Sequence, residues 1–186
     1  MTIPRACGVT ARTGVAVSRA RLDPSEVVLR QELPATSIVR TLIDLGHAPP
    51  LVEGVVVADM ALHERLLSLS DLASAVAARA GTRNVAKLRQ LADLAEPKSE
   101  SAMESRLRIL LVLAGLPRPE AQVSIHDRNG RFLARTDLYY ADQRLCIEYD
   151  GGTHRTTLAA DNRRQNALLN ACLLYTSDAA DDLTRV

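Results

Sequence analysis

The residues in this chain best suited to chemistry are four carboxylates in its second half: Glu104, Asp137, Glu148 and Asp150. Side chains alternate between the two faces of a strand. In an extended stretch over Arg144–Asp150, Cys146, Glu148 and Asp150 therefore share one face. In a stretch over Arg131–Tyr140, Leu133, Arg135, Asp137 and Tyr139 share another. If the two strands pair as a meander, Asp137 lies beside Glu148. Glu104, on the helix before the sheet, can reach the same place. Like charges gathered this way repel unless a proton or a cation intervenes. A hard divalent cation such as Mg²⁺ prefers such oxygen ligands. There it could hold a phosphate, activate water and offset charge on a leaving oxygen.

Each of these residues alone has an ordinary reading. Asp150-Gly151 is a common strand-end turn, and Glu104 could pair with Arg108 at i,i+4. His154 alone reads as a loop histidine and Arg163-Arg164 as a solvated helix face. The joint pattern is less easily accidental: a helical acid, a strand Asp, then Glu-x-Asp-Gly with a histidine close behind. Net charge is +1 over 186 residues, so any nucleic-acid contact has to be a local patch. Ser99–Ala171 holds ten arginines and nine acids, and without the four clustered carboxylates its remainder is +5. Arg128, Arg131, Arg135, Arg144, Arg155, Arg163 and Arg164 flank the cluster in sequence, as a phosphate backbone near a cation would require. The excess of Arg over Lys is by itself a mark of base composition.

The elements that must position these groups follow from periodicity. Ser99 can cap a helix in which Met103, Leu107, Leu110, Leu111 and Leu113 form an apolar side, ended by Gly115 and Pro117. The period then becomes two over Gln122–His126. Asn129-Gly130 signals a hairpin into Arg131–Tyr140, and Asp142-Gln143 turns into the third strand. Gly151-Gly152 ends that strand, and a helix should run from Thr156 or Thr157 through Asn170.

Upstream, residues 13–19 and 26–31 read as two short strands around a turn at Asp23-Pro24. Four helices follow. One is capped by Thr36 or Ser37, one opens at Pro49-Pro50 and runs to about Leu67, one is capped by Ser70, and one spans about Thr82–Ala95. Glu96-Pro97-Lys98-Ser99 is the boundary between the two regions, because Pro97 disfavours helix before it.

Apolar residues make up 47% of the chain and aromatics 3%, so a core must be built from aliphatic side chains. Three isolated cysteines, Cys7, Cys146 and Cys172, form no metal or disulfide framework and suggest a reducing compartment. No signal-peptide core or membrane-length apolar run is visible, so a cytoplasmic protein is expected.

Taken together, Glu104-Ser-Arg-Leu-Arg, Ala134-Arg-Thr-Asp137-Leu, Ile147-Glu148-Tyr-Asp150-Gly151, His154 and Asp161-Asn-Arg163-Arg164-Gln-Asn-Ala-Leu-Leu169 resemble a group of actinobacterial proteins. Their C-terminal domain is similar to very-short-patch-repair endonucleases of the PD-(D/E)XK fold. Leu33-Pro34-Ala35-Thr36-Ser37 and Arg40–Leu45 resemble the central region of that group. Its members often begin with a winged helix like that of type IV antitoxins, most of which this sequence is expected not to include. The resemblance implies an α+β fold. Short N-terminal strands and helices fill residues 1–97. A restriction-endonuclease-like α/β domain (helix, three antiparallel strands, helix) fills 98–172 and is truncated at its C-terminal end. Residues 173–186, acidic and without alternation, are expected to be a non-native or disordered tail, of which 175–186 should add little to the core.

The resemblance further implies Mg²⁺-dependent hydrolysis of DNA phosphodiesters. Asp137, Glu148 and Asp150 would hold the metal, Glu104 would support the site, His154 would act on water, and Arg135, Arg155, Arg163 and Arg164 would contact DNA. Where the core motif usually reads Glu-x-Lys, this chain has Glu148-Tyr149-Asp150, as members of the group commonly do. The missing lysine keeps a second expectation open: a catalytically inactive DNA-binding or antitoxin-like regulator. No small-molecule cofactor or membrane is implied, and a toxin or second copy as partner is left open.

Overall fold

The chain divides into two units, Met1–Ala95 and Glu96–Val186, both mixing helices with small sheets. The computed structural model describes residues 2–8, 13–15, 17–45, 50–82, 85–150, 166, 168 and 174–179. The side chains of Asp150, Tyr175 and residues 177–179 lie outside that description.

In the first unit, strand β1 (Thr2–Pro4) runs parallel to β2 (Ser18–Ala20). Strand β3 (Val27–Arg30) pairs antiparallel with β4 (Leu33–Thr36). The strands on either side of Asp23-Pro24 thus find other partners than each other. Asp23 instead caps a short 3-10 turn over Pro24–Glu26, where proline's fixed φ suits a first helical position. The β3–β4 hairpin closes on Gln31 and Glu32, both left-handed at φ 49° and 64°. Two such residues give a turn whose twist matches that of the flanking strands.

Helices α1 (Ile38–Leu45), α2 (Leu51–His63), α3 (Leu69–Ala78) and α4 (Val85–Leu94) follow. The cap of α3 is Ser68 rather than Ser70. Its hydroxyl accepts the Asp71 amide at 3.2 Å, and the Asp71 carboxylate accepts the Ser68 amide at 2.8 Å. That reciprocal arrangement satisfies two amides at once. Leu42, Val55, Leu72 and Leu91 are fully buried. Gly54 lets α2 approach α4: a Cβ there would stand 3.0 Å from Leu91 Cδ1. Arg40 fastens α1 to the preceding turn, with Nη1 2.9 Å from Glu26 Oε2 and Nη2 2.9 Å from Asp44 Oδ1.

In the second unit, helix α5 (Ala102–Leu113) leads into a sheet of strand order β5-β6-β7-β8 among the described residues. The strands are β5 (Glu120–His126), β6 (Phe132–Tyr140), β7 (Leu145–Asp150) and β8 (Leu174–Ala179). The cap of α5 is Ser101, whose hydroxyl accepts the Glu104 amide at 3.2 Å. Of the two serines, Ser101 has Glu three residues on, which favours that start. Asn129-Gly130 lies in a loop gathered by Asp127, whose Oδ1 accepts the Asn129 and Arg131 amides.

Strands β5, β6 and β7 pair antiparallel as expected, and the sheet extends beyond them. Leu174–Ala179, assigned from sequence to a non-native or disordered tail, pairs parallel with β7 along its whole length. Parallel pairing at an edge uses backbone groups that β7 offers, so it demands no alternation in the added strand. Helix α5 also departs from the expected apolar side: Glu104, Ser105, Arg108 and Ile109 are buried, while Met103, Leu110 and Leu113 are exposed.

Leu107 and Leu111 of α5 pack against Ala121, Leu138 and Ile147. In a separate cluster, Cys146, Ala134 and Ile125 pack with Leu168. Of the helix expected over Thr156–Asn170, Asn166 and Leu168 are described, and both are helical. No helix among the described residues is long and apolar enough to cross a membrane.

Candidate functional site

Strand pairing brings the acids toward one another. The β6–β7 ladder runs Tyr140↔Leu145, Tyr139↔Cys146, Leu138↔Ile147 and stops. One step further along each strand stand Asp137 and Glu148. There a side chain replaces the ladder: Asp137 Oδ2 accepts the Tyr149 amide at 2.8 Å. The buried Thr136 hydroxyl lies 3.2 Å from the carbonyls of both Leu138 and Ile147, filling the same gap.

Glu104, one turn before Leu107 on α5, is 8% exposed, and Glu148 is 6% exposed. Glu104 Oε2 accepts the Glu100 amide at 3.1 Å and the Gln122 side-chain amide at 2.8 Å. The same Gln122 Nε2 donates to Asp137 Oδ1 at 3.3 Å. Gln122 is left-handed at φ 53°, a conformation that costs a non-glycine residue about 1–2 kcal/mol. It stands opposite Asp137 between the pairs Ala121↔Leu138 and Val123↔Thr136, outside the paired register.

Burial raises the Asp137 carboxyl above its ordinary value, and the charges of Glu104 and Glu148 push the same way; the Tyr149 amide and Gln122 act against them. Three carboxylates thus share one electrostatic neighbourhood in which a positive charge would be welcome. Their hard oxygens suit Mg²⁺ in kind. Among the described residues, no group of three His, Cys, Asp or Glu side chains is arranged to hold a metal ion. Glu104 and Asp137 meet through Gln122 rather than by direct convergence.

The other sequence candidates fall differently. Asp150 ends β7, with its side chain outside the described residues. His154, Arg155, Arg163 and Arg164 lie outside the described residues altogether. Arg135 forms an exposed ion pair, its Nη2 2.7 Å from Glu100 Oε2. Such a pair contributes about 0–1 kcal/mol and yields readily to another anion. Cys146 shares its strand face with Glu148, but burial raises its thiol pKa and it packs among apolar side chains. Sequence reasoning missed Gln122 and the Tyr149 amide. The available signal for Gln122 was an amide standing between the apolar Ala121 and Val123.

Comparison with known proteins finds two relatives in Mycobacterium tuberculosis, one from strain CDC 1551 / Oshkosh and one from strain H37Rv. Each is described as an uncharacterised protein and is 33% identical over 116 residues. The match covers 62% of this chain and 42% of each relative, so the chain spans less than half their length. No family model matches the chain, and no solved structure matches it.

Proposed function

We propose that the second unit is a divalent-metal-dependent DNA endonuclease domain, restriction-endonuclease-like in arrangement and similar to the very-short-patch-repair enzymes. The observation that carries this reading is Asp137, set between Glu104 and Glu148 where the β6–β7 ladder gives way. Asp137 and Glu148 would hold Mg²⁺, with Asp150 completing the ligand set. When bound, the cation would supply Lewis acidity toward a phosphate oxygen and an activated water. The Tyr149 amide orients Asp137, and Glu104 joins the site through Gln122. Arg135 would exchange its exposed Glu100 partner for a DNA phosphate. His154 is the proposed base, and Arg155, Arg163 and Arg164 are the proposed phosphate contacts.

A second reading is favoured by the Glu148-Tyr149-Asp150 sequence, which has no lysine, and by the engagement of both Asp137 oxygens in hydrogen bonds. It is a DNA-binding, antitoxin-like regulator on an inactive nuclease scaffold.

The test is cleavage of supercoiled plasmid by the 186-residue chain with and without Mg²⁺, beside the Asp137→Asn variant. The endonuclease reading expects Mg²⁺-dependent nicking that falls by orders of magnitude in the variant while DNA binding persists. Equal nicking by both proteins removes Asp137 from the site. DNA binding without cleavage by either supports the regulator.

A further inference from the structure

We infer that the tip of the β5–β6 hairpin is an arm for single-stranded DNA, on which an unpaired base stacks against Phe132 while Arg128 and Arg131 hold the flanking phosphates. The inference rests on the DNA reading above, in either of its two forms, and names a substrate class for it: DNA with an unpaired stretch. Phe132 is the sole phenylalanine of a chain with four tyrosines and no tryptophan. Where aromatic rings are so scarce, a core is their ordinary place. Tyr139, Tyr140 and Tyr149 are buried or half-buried, whereas Phe132 is 56% exposed at the start of β6.

The hairpin is built to present that ring. Ile125 pairs with Ala134 but His126 pairs with Phe132, so Leu133 is an extra residue on β6. Without this bulge Phe132, an odd number of residues from Arg135, would face away from it. With it, the pairs His126↔Phe132 and Ser124↔Arg135 share a face, and all four residues are exposed. The His126 ring stands nearly perpendicular to Phe132, with centroids 5.8 Å apart and planes at 73°. Such a contact occupies at most one face of the phenyl ring, and a base can take the other. The turn beyond is held by Asp127. Its Oδ1 accepts the Asn129 and Arg131 amides at 2.8 and 2.9 Å, and its own amide donates to the Arg131 carbonyl at 2.9 Å. The exposed Arg128 and Arg131 therefore stand on an ordered turn, which lowers what binding must still fix.

The ring decides between kinds of DNA. A base inside a duplex has both faces covered by its neighbours, so a phenyl group at a hairpin tip stacks only on an unpaired one. A duplex backbone would engage the arginines and leave Phe132 without a role. Stacking on an aromatic side chain beside basic residues is the mode by which single strands are held without regard to sequence. Phe132 precedes Asp137 on the same strand by roughly 15 Å at ~3.3 Å per residue. That length matches roughly four steps of a stacked strand at ~3.4 Å each.

The experiment measures fluorescence anisotropy of a labelled mixed-sequence oligonucleotide, single-stranded or annealed to its complement, with the full chain in EDTA. The single strand should bind more tightly than the duplex. Phe132→Ala should weaken single-strand binding by about 5- to 100-fold and leave duplex binding unchanged, and Phe132→Tyr should restore it. Replacing Arg128 and Arg131 together by Gln should flatten the slope of log affinity against log salt by about 1.4, the share of two phosphates on a single strand. Unchanged single-strand affinity in Phe132→Ala overturns the inference, as does an equal loss on single strand and duplex or an unchanged salt slope; each leaves the DNA reading standing. Absence of binding to either oligonucleotide by the unsubstituted chain overturns both together.

Discussion

The carboxylate of Asp137 accepts the main-chain amide of Tyr149 at 2.8 Å, at the point where β6 and β7 cease to pair. One side chain thus closes the end of a backbone ladder and presents an acid to Glu148. Shape and charge at this position can be separated by substitution. Asp137→Ala leaves the Tyr149 amide without its acceptor and should cost about 1–3 kcal/mol. Asp137→Asn keeps an oxygen for that amide and should cost clearly less at neutral pH. Urea unfolding of both variants measures the difference, and equal losses would mean that the hydrogen bond is not what matters.

The charge has its own signature. Burial and the neighbouring acids raise the Asp137 pKa, so the folded chain holds this proton more tightly than the unfolded chain does. Its contribution to stability is therefore fullest below the ordinary carboxylate range, and it is lost as pH rises through the raised value. Asp137→Asn has no such proton to release. The stability of the variant relative to the parent should increase with pH across that window. Unfolding curves at a series of pH values check this, and a difference growing toward acid would contradict the sign.

Arg40 offers a test in the first unit. It is 6% exposed and is held between Glu26 and Asp44. Arg40→Ala would strand two partly buried carboxylates and should cost about 3 kcal/mol. Thermal melting would report it, and a loss near zero would place this cluster with ordinary surface pairs.

Gly54 sets helix propensity against space. Replacing Gly with Ala within a helix gains about 0.8–1 kcal/mol in propensity. Here the new methyl would meet the buried Leu91 at 3.0 Å, and overpacking of this kind costs about 1–3 kcal/mol. Gly54→Ala should therefore be neutral to destabilising by about 1–2 kcal/mol, the difference of those two effects. A clear gain in stability would show that Leu91 moves aside.

The parallel strand β8 reverses what its composition suggested. A chain ending at Leu173 would leave one edge of β7 unpaired, and an exposed edge recruits strands from other molecules. Such a chain should melt at lower temperature and self-associate in analytical ultracentrifugation. Unchanged melting and a monomer would return this segment to the status of a dispensable tail.

Much of the site's frame is legible in the residues themselves. The alternation in Phe132–Tyr140 and Leu145–Asp150, with the turn signals before each, identifies the two strands that carry Asp137 and Glu148. Ser99 and Gly115 bracket α5 to within two residues, the actual cap being Ser101. Illegible features depend on tertiary placement. Apolar residues occur around most of α5, so periodicity could not say that Glu104 and Arg108 face inward. The role of Gln122 depends on a left-handed φ that no propensity assigns to glutamine. The partner of β1 is likewise non-local, since Thr2–Pro4 finds Ser18–Ala20 across a long intervening segment.

The topology of the second sheet also orders events in time. Strands β5, β6 and β7 are joined by short turns and pair with sequence neighbours, whereas β8 reaches β7 only after residues 151–173 have been made. Local pairings close with less chain entropy lost and form sooner. The hairpins that carry Gln122, Asp137 and Glu148 can therefore assemble on the nascent chain before β8 leaves the ribosome. The β8 amides would then exchange with solvent through the shallowest opening of the sheet, ahead of those at the β5–β6 centre.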